Sequence, residues 1–324
     1  MNSLRICTEK YSSKKELKTI ENKYKSSEYK ASFMKKYIWK QGSDIKIKFI
    51  DDRQNINWTP ITELKKEKRP IDPLEYTVRD LSPRLAIIKI VKERIIPIVG
   101  LNIFFVETGD SDVRVSFDTS SGSWSLVGTD CKNIKDDNEA TINFGWLDVS
   151  TIIHEFGHML GMIHEHQSSF NNYIKWDVPV VMKWAKNTQG WTSDMVNENI
   201  IQRYDSTTLN GTDFDKCSIM LYFFPASLTI NNIGTNQNNR LSSNDVIYIS
   251  NIYPGGIKTP QQFYMDVYKE SLFEYSDCGS SLIINGVKNN RVNLKYFKFT
   301  LLFFITTIII IIIIVVIKNY KKKL

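Results

Sequence analysis

The sequence predicts an α+β domain followed by one helix that crosses a membrane. Two kinds of pattern predict the domain: short segments in which polar and apolar residues alternate, and longer segments with helical spacing. One long apolar run near the C-terminus predicts the membrane helix. Of the 324 residues, 42% are hydrophobic and 12% are aromatic, so the chain can bury a sizeable core and is not disordered throughout.

Four strands are predicted. Residues 44–50 read DIKIKFI, and this alternation of polar and apolar side chains is typical of a strand with one buried face. Three further segments of strand character are residues 101–107, 112–117 and 140–146.

A helix is predicted between Leu81 and Ile96. Ser82 is suited to cap its N-terminus, Pro83 is favoured at the first helical position, and Pro97 ends the pattern. Other segments with helical spacing are residues 148–164, 178–185, 197–203 and 242–253. In the last of these, Ser242 and Asp245 have the spacing of a capping box.

Charge is concentrated at the two ends of the chain. The formal net charge is +7, but residues 1–36 carry ten basic and four acidic side chains, and eight basic residues without an acid follow from Lys288 onwards. The body between the ends is therefore acidic. Because a nucleic-acid-binding domain needs basic surface on its folded part, no nucleic-acid partner is predicted. Residues 1–35 are predicted to be a basic N-terminal arm without a core.

Residues 299–317 contain no charged side chain. As a helix they would span roughly 28 Å, close to the ~30 Å hydrocarbon core of a bilayer. We therefore expect a lipid bilayer partner, preceded by a tether at 255–298 and followed by a basic tail at 318–324. A buried core segment is the alternative.

Orientation in the membrane is left open, because lysines flank the apolar run on both sides. The N-terminus has no apolar run that resembles a signal peptide. The simplest topology is thus a tail anchor with the domain facing the cytosol. Four scattered cysteines, Cys7, Cys131, Cys217 and Cys278, are expected to be reduced, with a Cys131–Cys217 bridge left open for an oxidising compartment.

All four histidines lie between residues 154 and 166, and the segment from His154 to His164 reads HEFGHMLGMIH. On a helix, His154 and His158 lie on one face and can bind one metal ion. Gly161 can adopt a positive φ, which would turn the chain and bring His164 to the same ion. Three neutral imidazoles leave a coordination position for water, the arrangement of a catalytic Zn²⁺ site.

Glu155, next to the first ligand, is predicted to be the general base that activates water and then the acid that protonates a leaving amine. Two alternatives are histidines on the surface of an amphipathic helix and a degenerate relative that binds no metal. His166 is expected to point away from the metal, near the ligands or at the surface.

The motif resembles that of the metzincin metallopeptidases. The segment 217–222, CSIMLY, resembles the Met-turn of that group, and its tyrosine resembles that of the astacin family, in particular its microbial members. The resemblance implies that Met220 packs beneath the histidines and that Tyr222 stabilises the oxyanion; an ordinary core methionine and core aromatic are the alternatives.

The resemblance also implies a metzincin-type domain over residues 36–254, with a twisted mixed sheet, an active-site helix and an irregular lower half. A protein or peptide substrate would pair with an edge strand, expected here at residues 140–146. Glu165 corresponds to a glutamate that pairs with the mature N-terminus in secreted members, a pairing not expected here. Cys7 is a candidate for a residue that keeps the enzyme latent.

Together these observations predict a membrane-anchored zinc endopeptidase. The rival interpretations are a membrane-tethered binding protein that keeps the peptidase shape without turnover, and a membrane protein in which zinc is only structural. The latter requires a fourth protein ligand, and the sequence shows no cysteine close to the histidines.

Overall fold

The computed structural model describes residues 7–12, 33–65, 71–170, 172–206, 209–210, 213–257 and 259–269. All of them belong to one compact unit, Met1–Ser280. None of the helices in these ranges is long and apolar enough to cross a membrane. The predicted membrane helix at 299–317 and the basic tail lie outside the described residues.

The described strands are β1 (Thr8–Lys10), β2 (Phe33–Met34), β3 (Asp44–Phe49), β4 (Asn102–Val106), β5 (Val113–Ser116), β6 (Trp124–Leu126), β7 (Ile142–Asn143) and β8 (Leu209–Asn210). Six of them form a mixed sheet in the order β1-β6-β7-β5-β3-β4. Only β6 and β7 pair antiparallel in this sheet; the other neighbours are parallel. A separate antiparallel pair joins β2 to β8.

The alternation in β3 places one face of the strand in the core, as the sequence predicts. Ile45 and Ile47 are fully buried, and Phe49 stacks on Phe105 and Phe117. Residues 140–146 differ from the prediction. Only Ile142–Asn143 is strand, and it lies between β5 and β6 instead of at an edge. Among the described strands, the edges are β1 and β4.

The helices are α1 (Ile61–Leu64), α2 (Pro83–Ile90), α3 (Val149–Met159), α4 (Val178–Gln189), α5 (Ser193–Val196), α6 (Ser243–Ile252) and α7 (Pro260–Phe263). The predicted start of α2 is confirmed, with Ser82 as N-cap and Pro83 in the first turn. The helix continues as a π-helical segment, Val91–Ile95, and ends in the 3₁₀ turn Ile96–Ile98. The predicted capping box at the start of α6 is also present.

Parts of both predicted flanking segments are packed into the domain. In the segment expected to be an arm, Cys7 and Phe33 are buried, and Thr8–Lys10 forms the edge strand β1. In the expected tether, α7 continues as the π-helical segment Tyr264–Tyr268, and its aromatic side chains pack on the main core. Sequence patterns missed these segments because each carries only one or two turns or a three-residue strand.

Two hydrophobic clusters bear on the functional residues. The larger one combines the sheet with α2, α3 and α6. The second belongs to the irregular half and includes Trp176, Val181 and Phe224, together with Tyr222 and Cys7. The start of the described chain therefore packs against the irregular half while its next residues pair with the sheet.

Candidate metal centre

The helix that carries the first two histidines is fixed at its N-terminus by two carboxylates. Asp148 caps it by accepting a hydrogen bond from the Thr151 amide at 2.6 Å. Glu75 accepts from the Val149 amide at 2.7 Å. Because the first amides of a helix have no partner within it, these two side chains define where α3 begins.

The C-terminal end of α3 is fixed by side chains from two distant parts of the chain. The Trp39 indole donates to the Met159 carbonyl at 2.7 Å, and the Tyr253 hydroxyl donates to the Leu160 carbonyl. Gly161 has a φ of +101°, which glycine adopts at little cost, and its carbonyl accepts from the Met34 amide. This turn brings His164 back to the helix, as the sequence predicts.

His154, His158 and His164 converge in a buried space, and their ligand atoms lie within 4.8 Å of one another. Each Nδ1 has an acceptor near it. These are the Ile219 carbonyl at 2.9 Å, the Met162 carbonyl at 2.9 Å and Gln167 Oε1 at 3.1 Å, in that order. The protons therefore belong on Nδ1, and the Nε2 lone pairs face inwards.

The donor set fits a zinc ion. His158 Nε2 and His164 Nε2 lie 3.0 Å apart, and the buried His154 Nε2 has no hydrogen-bond partner. Lone pairs facing each other at this distance need a cation between them; imidazoles arranged tetrahedrally around zinc at ~2.0–2.1 Å place their nitrogens about 3.3 Å apart.

Burial keeps the three imidazoles in the neutral form that binds metal. It lowers the pKa of His154 to about 4 and lowers the pKa values of His158 and His164 well below the ordinary value. Neighbouring histidines lower the last two further.

Met220 lies directly against α3. A Cβ built on Gly157 would lie 2.5 Å from the Met220 sulphur, so the methionine fills the space that this glycine leaves open. The Met220 carbonyl accepts from the Glu165 amide at 3.0 Å. One residue earlier, the Ile219 amide donates to Asp245 at 2.8 Å. The capping box of α6 therefore also holds the segment that orients His154.

Tyr222 lies against the histidines. Its ring centroid is 4.3 Å from that of His164 and 5.3 Å from that of His154. Its hydroxyl contacts His164 Nε2 and donates to the Cys7 carbonyl. The side chain is thus within reach of any group bound at the metal centre.

His166 and Glu165 are buried and outside the metal-binding set. His166 stacks on His164 at 5.3 Å between ring centroids and makes a hydrogen bond with the Asn199 carbonyl. Of the two positions that the sequence left open for His166, the one near the ligands is therefore confirmed and the one at the surface is wrong. Glu165 accepts from the Asp215 amide at 2.7 Å. Burial raises the pKa of Glu165 well above its ordinary value.

Cys7, for which the sequence carried little indication of a place near the metal, lies beside the metal centre. It is 6% exposed, and its sulphur lies within 4.8 Å of ligand atoms of His154 and Glu155. Burial first, and then the Glu155 carboxylate, raise the pKa of its thiol well above the ordinary value. A single cysteine in a lysine-rich segment has no neighbouring metal-binding residue at a characteristic spacing. Its place beside the histidines is therefore visible only in the fold.

We call residues 7–12, which include Cys7, the strap. The Thr8 amide donates to the Ser123 carbonyl at 3.0 Å, and Thr8–Lys10 pairs parallel with Trp124–Leu126. The strap therefore occupies the edge of β6 beside the histidines, the kind of edge that an extended peptide would use.

The cysteine pairing left open by the sequence is excluded. Cys131 is a free, buried thiol, whereas Cys217 is disulfide-bonded. The expectation that all four cysteines are reduced is therefore wrong for Cys217.

Comparisons with known proteins agree with the site. A family model described as Astacin, a family of peptidases, matches residues 101–253. A solved structure of myroilysin is 29% identical, covers 70% of this chain and 100% of its own, and gives a TM-score of 0.53. A crystal structure of myroilysin is 25% identical, covering 78% of this chain and 93% of its own with a TM-score of 0.43.

High choriolytic enzyme 1, a hatching enzyme zinc-protease from the medaka fish Oryzias latipes, is 16% identical, covers 68% of this chain and 96% of its own, and gives a TM-score of 0.37. A search among curated proteins found no match. The family match, the first myroilysin structure and the three converging imidazoles lead to one conclusion: residues 101–253 match the model of the astacin peptidase family, and the chain is a zinc metalloendopeptidase.

Proposed function

We propose that this zinc peptidase is anchored in a membrane and hydrolyses peptide bonds with Glu155 as the general base. The observation that carries the mechanism is the convergence of three neutral imidazoles in a buried space that also contains the Glu155 carboxylate. Zinc bound there would lower the pKa of water and polarise the scissile carbonyl.

The protein's own groups perform the proton transfers. Glu155 is next to His154 on α3, so its carboxylate can take a proton from the attacking water and deliver it to the leaving amine. The Tyr222 hydroxyl donates a hydrogen bond to the developing oxyanion. Its hydrogen bond to the Cys7 carbonyl supports this role, because a hydroxyl beside the histidines is there seen to donate to a peptide carbonyl.

Two other residues shape the metal site. Met220 supports α3 from below by filling the space beside Gly157. Gly161 supplies the turn that brings His164 to the other ligands. Neither residue takes part in proton transfer.

With the strap in place the site is blocked, and we infer that this form is latent. The Cys7 thiolate would supply a fourth ligand to zinc, leaving no coordination position for water. Parallel pairing of the strap with β6 covers the edge that a substrate needs. Activity then requires that the strap leave the metal centre and the edge of β6, which together we call the cleft.

Anchoring rests on the uncharged run at 299–317. The cytosol-facing orientation stays a prediction, and the disulfide at Cys217 favours the opposite face, because disulfides persist in oxidising compartments. Protease protection of a C-terminal epitope tests the topology. Glycosylation of Asn210, in Asn210-Gly211-Thr212, would place the domain outside the cytosol.

The mechanism is tested on the full chain in detergent, with Cys7→Ser to open the cleft and Cys7→Ser/Glu155→Gln as its matched partner. We expect one equivalent of zinc in both and peptide cleavage only in the first. Cleavage that survives Glu155→Gln contradicts the mechanism. Zinc bound without cleavage in either variant, with hydrogen exchange showing that residues 7–12 have left β6, favours the rival function, a peptidase-shaped binding protein.

A further inference from the structure

The C-terminal end of the strap, at Ser12, is bound by a second group of polar side chains. Both oxygens of Asp130 accept hydrogen bonds from one residue, Ser12: the Ser12 amide donates to Oδ2 at 2.6 Å and its hydroxyl donates to Oδ1 at 2.7 Å. Asn133 Nδ2 donates to Asp130 Oδ1 at 2.8 Å and to the Ser12 hydroxyl at 3.1 Å. The hydroxyl of Ser12 is thus held from two sides.

Asp130 is only 1% exposed while the strap is in place. A buried carboxylate is costly unless donors satisfy it, and Ser12 supplies two of its donors. Without the strap, the carboxylate would have to be satisfied by water or by another peptide. The site is therefore suited to bind a residue that offers an amide and a hydroxyl together.

Its position is fixed by the domain, not by the strap. Asp130 lies in the 3₁₀ segment Gly128–Asn133. Gly128 has a φ of +51°, and a Cβ there would lie 1.9 Å from the Tyr37 carbonyl oxygen, so this segment packs directly on Tyr37. Ser12 is five residues beyond Cys7, a distance of roughly 16 Å in an extended chain.

We propose that Asp130 and Asn133 form a peptide subsite selective for serine or threonine, five residues along an extended segment from the residue at the metal centre. A lysine could offer charge to the same carboxylate, but it would not provide the short hydroxyl that reaches both Asp130 Oδ1 and Asn133. The inference rests on the proposed function only in treating the cleft as a peptide-binding site.

The test measures strap release in the full chain, without using peptidase activity. Alkylation of Cys7 is quantified by peptide mapping in metal-free protein, together with hydrogen exchange of residues 7–12. The variants are Ser12→Ala, Ser12→Thr and Ser12→Lys, which alter the strap and leave the core unchanged. Cys131, which is buried and free, serves as the internal reference.

We expect Ser12→Ala to raise the rate of Cys7 alkylation about tenfold or more, because it removes a hydrogen bond to a carboxylate. Ser12→Thr should stay within about twofold of the parent, and Ser12→Lys should resemble Ser12→Ala. Asp130→Asn should also accelerate release, with no further gain from adding Ser12→Ala. Asp136→Asn, a neutralisation at an exposed position nearby in the chain, is the matched control.

Unchanged release in Ser12→Ala would overturn the subsite. Release in Ser12→Lys as slow as in Ser12→Thr would overturn the selectivity for serine or threonine. The subsite would then accept hydrogen-bond donors in general. Because the readout is strap release in metal-free protein, neither result depends on whether the chain cleaves peptides. Failure of the cleavage experiment with a positive result here would disprove only the proposed mechanism.

Discussion

The sulphur of Met220 lies where the side chain of Gly157 would begin, 2.5 Å from the position of a Cβ on that glycine. Gly157 is on α3 between His154 and His158. The same methionine segment holds His154 through the Ile219 carbonyl. The shape of the metal site therefore depends on close contact between α3 and the turn that carries Met220, which is possible because Gly157 has no side chain.

Gly157→Ala should destabilise the protein by about 1–3 kcal/mol, the usual cost of overpacking a core. Urea unfolding measures the change. The double variant Gly157→Ala/Met220→Ala should recover part of the loss, because the alanine Cβ then enters the space left by the sulphur. If the losses in unfolding free energy of the two single variants simply add in the double variant, the two side chains do not compete directly for this space.

Removal of zinc should lower the thermal stability of the protein. Binding to the folded state alone at a thousand times the dissociation constant stabilises it by about 4 kcal/mol. For a domain of this size, that corresponds to roughly 10 °C in Tm. Calorimetry with and without a chelator measures the shift, and re-addition of zinc should reverse it. His154→Ala should show little response to the chelator; an equal response would place the stabilising ion elsewhere.

Cobalt substitution should reveal whether Cys7 is a ligand. A cobalt ion bound by a thiolate gives a sulphur-to-metal charge-transfer absorption in the near ultraviolet, whereas three imidazoles and water do not. The full chain should show this absorption, and Cys7→Ser should lose it. Cys131→Ser removes the second thiol that is free in the described part of the chain and should keep the absorption. Absorption that persists in Cys7→Ser would disprove ligation by this residue.

The histidine site could be predicted because its information is local. Residues four apart on a helix share a face, and the positive φ expected at Gly161 is present. The capping box at Ser242 could be predicted for the same reason. These features depend on neighbouring residues, so one segment of sequence determines each of them.

The strap and the order of the strands could not be predicted in this way. The pairing of Thr8 with Trp124 joins distant parts of the chain, and three residues carry no useful alternation. Alternation also identifies a strand without naming its neighbours, which is why the edge position expected for residues 140–146 is wrong and Ile142–Asn143 lies inside the sheet. The disulfide at Cys217 likewise depends on spatial proximity and not on spacing.

The carboxyl group at the N-terminus of α3 should make stability depend on pH. Burial, and then the nearby Asp148 carboxylate, raise the pKa of Glu75 from 4.5 to about 7, although the Val149 amide and Arg79 oppose the increase. Because the folded protein holds this proton more tightly than the unfolded chain, Glu75 lowers the free energy of unfolding as pH rises from about 4.5 to about 7. The loss is complete above pH 7 and amounts to roughly 3 kcal/mol at most.

Glu75→Gln keeps an oxygen for the Val149 amide but cannot titrate, so its unfolding free energy should fall less steeply over this range. Part of the slope should remain, because burial also raises the pKa of Asp245 to about 7. Urea unfolding at several pH values measures both slopes, with Glu139→Gln, at an exposed position, as the control. A slope in Glu75→Gln equal to that of the parent would show that folding does not raise the pKa of this carboxyl.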